Sequence, residues 1–144
     1  MSDLKLFFKE NKKEERASVF YPVTKAFVDE NGEPVKWEFK PMSIREMDTL
    51  RDQFIKEIPV PGKPGMYRNK VDNTALMMAM AAECCVFPDL RDGQLQDSYQ
   101  VKTPEDLLYE MIGAPGEKDD LLAFVSEING FNAFDSKVEQ AKNL

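Results

Sequence analysis

The apolar positions change their spacing twice along the chain. Leu4, Leu6, Phe7 and Phe8 form a compact apolar cluster, and the run from Lys9 to Arg16 is nearly all charged. Asp3 can cap a short helix carrying Leu4, Phe7 and Phe8 on one side. From Ser18 the texture becomes β-branched and aromatic: SVFYPVTKAFV, then the turn cluster DENGEP with its Asn-Gly pair, then VKWEFK, where apolar and polar residues alternate. This predicts a β-hairpin over residues 18–40 whose second strand buries Val35, Trp37 and Phe39 on one face. Pro22 makes the first strand an edge strand or interrupts it. A hairpin alone is marginal in water, so its apolar face needs a cover.

Helical spacing takes over at residue 43. Ser43 and Glu46 form a capping box, and Met47, Leu50, Phe54 and Ile58 follow on one helical face that ends near Pro59. The next stretch, PVPGKPGMYRNK, reads as a loop of about a dozen residues. Asp72 can cap the following helix, with Val71 stapled onto Leu76. From Ala75 to Phe87 nearly every position is apolar and no polar stripe exists, which predicts a central helix surrounded by other elements. Phe87 precedes Pro88 and so leaves the helical region. Asp92 caps a short helix through Leu95 and Tyr99, and Thr103 before Pro104 opens another that carries Leu107, Leu108, Met111 and Ile112. Leu121, Phe124, Val125 and Ile128 mark a further helix ending at Asn129-Gly130, and Phe134, Val138 and Ala141 a last one. The expected fold is α+β, mainly α, with an N-terminal β-hairpin packed on a bundle of about five helices. The length suits a single domain over residues 1–144: an N-terminal arm (1–16), the hairpin (18–40) and a helical body (43–144).

Charge and composition remove most kinds of chemistry. The 19 basic and 26 acidic residues give a net charge of −7, which opposes docking on a phosphate backbone. Lys63, Arg68 and Lys70 surround Tyr67, but so short a cluster specifies no nucleic acid. There is no histidine, hence neither the commonest general base near neutral pH nor the commonest transition-metal ligand. Cys84 and Cys85 are neighbours, pointing about 100° apart on a helix, with no second pair to complete a zinc site. They read as buried, reduced thiols packed among methionines. Glu14-Glu15 and Asp119-Asp120 read as solvated faces, and Ser98 and Tyr99 lack a histidine base. No phosphate-binding glycine loop, signal peptide or membrane span is recognisable. These readings predict a soluble, intracellular, non-enzymatic interaction protein with no catalytic, metal or cofactor site.

Four stretches in order, LKLFFKENKKEE, VDENGEPVKWEFKPMS, CCVFPDLRDGQLQDSYQV and EINGFNAF, carry a resemblance that runs from Leu4 to Phe134. In their order and spacing the chain resembles the XkdN-like tail assembly chaperones of phages and PBSX-type prophages. The resemblance implies a protein of the bacterial cytoplasm that binds the tape measure protein, delivers it for tail-tube polymerisation and then leaves. The tail-tube protein and further copies of the chain are additional partners compatible with that role. The family offers no catalytic residue to carry over. Apolar side chains near the ends of the sequence, Leu4, Phe7, Phe8, Phe131 and Phe134, are the candidate partner-binding residues. Two other classes fit the same residues: a structural minor tail component kept in the virion, and a small regulatory or nucleic-acid-binding phage protein.

Overall fold

The computed structural model describes residues 3–13 and 17–131. Two short 3-10 turns, Asp3–Phe7 and Lys9–Asn11, come first and bury none of their residues. Strand β1 (Val19–Tyr21) then pairs antiparallel with β2 (Trp37–Phe39) in the register Val19↔Phe39, Phe20↔Glu38 and Tyr21↔Trp37. The expected pairing is present, with Trp37 and Phe39 buried and Val35 partly so. Its connection is longer than a hairpin turn. DENGEP closes a smaller loop of its own: Asp29 N–H donates to the Glu33 carbonyl, Val35 N–H donates to the Phe27 carbonyl, and Gly32 takes a φ of +80°.

Helix α1 (Ile44–Asp52) starts at the capping box, in which Ser43 Oγ accepts from the Glu46 N–H at 3.1 Å and Glu46 Oε1 accepts from the Ser43 N–H at 3.2 Å. It stops earlier than the apolar spacing predicts. Ile55–Pro59 is instead strand β3, antiparallel to β4 (Tyr67–Val71), and the expected loop is a second hairpin. Its tip consists of two successive turns, Val60 to Lys63 and Lys63 to Met66, each closed by a backbone hydrogen bond. Each has proline second and glycine third, with Gly62 and Gly65 at φ of +74° and +81°, the arrangement that a type II turn requires. A ladder of five residue pairs then satisfies the backbone groups that one further helical turn would have used.

Helix α2 (Asn73–Cys84) is capped by Asp72, whose carboxylate accepts from the Ala75 N–H. It buries Leu76, Met78, Ala79, Met80, Ala81, Ala82 and Cys84 and lies against the helices on either side of it. This is the central helix expected from its unbroken apolar run, but it ends at Cys84. Cys85–Phe87 is strand β5, which pairs with β2 through an irregularity beside Glu38 and Phe39 and completes a sheet of order β1-β2-β5. Two forces favour the switch. Pro88 disfavours helical backbone at Phe87, and the open edge of β2 offers hydrogen-bond partners; Lys40 N–H already donates to the Cys84 carbonyl at 2.9 Å. Helices α3 (Gly93–Ser98) and α4 (Pro104–Met111) begin at Asp92 and Thr103 as expected, and α5 (Pro115–Ile128) is the fifth helix among the described residues of a mainly α, α+β fold.

The inner face of the sheet packs on α5. The Tyr21 ring stacks on Phe124 at 4.2 Å between centroids, and Phe39 meets the same ring edge-on at 5.5 Å. A polar tie reinforces the junction: Glu117, in the first turn of α5, accepts from Thr24 Oγ1 (2.7 Å), the Lys25 N–H (2.9 Å) and the Gly113 N–H (3.1 Å). A β-carbon on Gly113 would stand 3.2 Å from both the Thr24 hydroxyl and the Glu117 carboxylate, so a side chain there would require these groups to shift by a few tenths of an ångström. At its other end α5 closes with Gly130 at φ +82°, while Gly130 and Phe131 donate back to Glu127 and Ser126, the paired bonds of a Schellman cap. The expected helix through Phe134, Val138 and Ala141 lies outside the described residues.

Candidate partner-binding surfaces

The two 3-10 turns of the arm hold themselves together. Lys5 carbonyl accepts from the Phe8 N–H and from Asn11 Nδ2, the latter at 2.6 Å. Leu4, Leu6, Phe7 and Phe8 are all exposed, with Phe7 at 83% of its full surface. Phe131 is also exposed, at the far end of α5. It lines a groove with Met42, Ile44, Met47 and Asn129, and no arm residue lines that groove. Phe134 lies outside the described residues.

Sequence reasoning missed a third apolar surface. Because Trp37 and Phe39 face inward, their partners Val19 and Tyr21 share the inner face and Phe20 points outward. Register then aligns Phe20, Glu38 and Phe87 across all three strands on the outer face. Phe20 is 62% exposed and Phe87 59%. The signal was in the sequence: Val19, Phe20 and Tyr21 are apolar in succession, so a strand there must show one large side chain to each face. Ile44, which lines the groove beside Phe131, was missed as well. It sits three residues before Met47, on the same helical face, yet it is exposed.

The titratable groups serve structure. Cys84 and Cys85 are both buried, and neither forms a disulfide. Burial raises both thiols, that of Cys85 to about 12, so they stay protonated at neutral pH and are poor nucleophiles. The Glu117 carboxyl is held below its ordinary value by the Lys25 N–H and the Thr24 hydroxyl. Asp72 is lowered by the Ala75 N–H and by Lys56. Among the described residues, no group of three or more His, Cys, Asp or Glu could hold a metal ion. Arg68 and Lys70 lie exposed along β4, with Lys63 in the turn before it.

Residues 4–142 match the family described as phage XkdN-like tail assembly chaperone protein. The chain belongs to this family. It is 28% identical over 138 residues to the phage-like element PBSX protein XkdN of Bacillus subtilis strain 168, covering 95% of this chain and 92% of that relative. The protein YqbN of the same strain is 27% identical over 138 residues, covering 95% and 91%. A crystal structure of YqbN superposes with a TM-score of 0.71 at 23% identity, over 90% of this chain and 98% of the other, and shows a shared fold. Three of the four stretches that carry the family resemblance meet in space. The second supplies β2 and the third supplies β5, its sheet neighbour, while the fourth forms the cap of α5, whose Asn129 Oδ1 accepts from the Met42 N–H at 2.8 Å. Among the described residues, no helix is long and apolar enough to cross a membrane.

Proposed function

We propose that this tail assembly chaperone is non-enzymatic, acts in the host cytoplasm and binds the tape measure protein, keeping it soluble until the tail tube polymerises around it. A tape measure chain of long amphipathic helices presents apolar stripes before the tube closes, and aromatic side chains on a small partner can cover them. The observation that carries this reading is the arm: in a member of a family of assembly chaperones, Phe7 and Phe8 stay exposed, Phe7 at 83% of its full surface. Phe131, in its groove beside Ile44, and Phe134 offer a second contact of the same chemistry. The acidic balance of −7 adds steering toward basic client segments.

Co-expression with a cognate tape measure protein tests the proposal. The expected result is a soluble client that co-purifies with the chain. A client that stays insoluble, or recovery of the chain in stoichiometric amounts from purified virions, would count against a chaperone and for a structural tail component.

A further inference from the structure

The groove at the C-terminal end of α5 has an apolar lining held in a fixed shape. Met42, Ile44, Met47 and Phe131 line it, and it offers about 210 Å³. Asn129 ties its two walls together: Oδ1 accepts from the Met42 N–H at 2.8 Å, and Nδ2 donates to the Val125 carbonyl at 2.8 Å. Asp48 and Arg51 on its rim pair with each other at 3.7 Å, so an occupant needs apolar side chains and no particular charge. Ile44 stands 83% exposed and Phe131 44%. The chain itself leads into this groove. Phe131 is part of the lining, and residues 132–144, which lie outside the described residues, follow it directly. Their sequence repeats apolar side chains at helical spacing, Phe134, Val138 and Ala141, with Asp135, Glu139 and Lys142 at other positions. Only Asn132 and Ala133 separate Phe134 from Phe131. A tether that short holds an apolar segment at an effective concentration on the order of millimolar, ahead of a second copy in dilute solution.

We infer that the groove is the docking site for residues 132–144 of the same chain, with Phe134 and Val138 packed against Ile44 and Met47. The segment covers the apolar groove while the protein is free. This deepens the proposed function, and rests on it only for the consequence: a client helix that uses the groove has to displace the segment, which then releases Phe134 to join Phe131 in the client contact. The groove is thereby kept from weak apolar partners and opens to one that binds more tightly than the tethered segment.

Cross-linking within the full chain, with no client present, tests this. Cys84 and Cys85 are buried and stay protonated, so a pair of introduced cysteines reports alone. Under mild oxidation the double variant Ile44→Cys, Val138→Cys should close an intrachain disulfide at least about tenfold faster than Tyr109→Cys, Val138→Cys, whose first position lies beside the opposite end of α5. Ile44→Ala and Phe134→Ala should each lower the melting temperature by about 2–5 °C. Together they should lower it no further than the larger single change, because the two side chains share one contact. The inference is overturned if the first cysteine pair closes no faster than the second, if it links separate chains, or if the two alanine changes act additively or leave the melting temperature unaltered. Failure here leaves the client reading standing, and an insoluble client on co-expression leaves this intrachain contact standing.

Discussion

Among the described residues, Gln100 is the one non-glycine residue with a positive φ. It sits just past the end of α3 at a φ of 59°, while Gln100 and Val101 donate back to Asp97 and Gln96. That is the same Schellman geometry as at Gly130, here without glycine. The left-handed region disfavours a side chain with a β-carbon, so Gln100→Gly should stabilise the protein by about 0.5–1 kcal/mol, visible as a higher melting temperature. Glu117 gives the opposite kind of test. Its carboxyl is lowered by the Lys25 N–H and Thr24 hydroxyl, so its contribution is complete above the ordinary carboxylate range and is lost as pH falls through the folded value. Glu117→Gln should cost about 1 kcal/mol near neutral pH, since one amide oxygen replaces two carboxylate oxygens that accept three bonds. The difference from wild type should vanish in acid, and a gap that persisted there would mean that the carboxylate charge is immaterial. Caps at this scale were legible because the chemistry is local: Ser43, Asp72, Asp92 and Thr103 each accept from a backbone N–H three residues on. The Glu117 tie was not, since Thr24 and Glu117 are 93 positions apart.

The elements divide along the same line. The alternation in VKWEFK marked β2 correctly, and the packing of the sheet on α5 now has a direct probe, since Trp37 is the one tryptophan in the chain. Trp37→Ala should cost about 3–5 kcal/mol, the range for truncating a large buried aromatic. The native protein should emit at short wavelength and shift red on unfolding; a solvent-like native maximum would contradict the packing of Trp37 under the sheet. The β3–β4 hairpin was misread because Phe54 and Ile58 fit helical spacing by coincidence, while two Pro-Gly pairs, each the core of a type II turn, were taken together as loop composition. Strand β5 was hidden for a different reason. Cys85, Val86 and Phe87 continue the apolar run of α2 without a break, and what ends the helix is an edge of β2 supplied 46 residues earlier. Apolarity marks burial well; it does not say which backbone will be buried.

At the scale of the whole molecule, the core and the outward surfaces follow from different parts of the sequence. The core draws on every helix except α3, together with β2 and β5, and its centre, α2, was readable from composition alone. The candidate surfaces were readable only where apolar residues stand beside a charged run, as in the arm. Phe20 and Phe87 needed the register of three strands before they could be placed on one face. The arm also permits the sharpest test of function, because stability and binding should separate there. None of the residues in its two 3-10 turns is buried, and changes at exposed positions are normally worth within about 0.5 kcal/mol. Deleting residues 1–8 should therefore leave the melting temperature within about 2 °C of wild type. Under the proposed function, the same deletion should sharply reduce the amount of tape measure protein kept soluble and recovered with the chain. A large drop in melting temperature on deletion would instead make the arm part of the folded core. Unchanged client recovery in a stable, arm-deleted chain would move the binding site to the groove around Ile44 and Phe131.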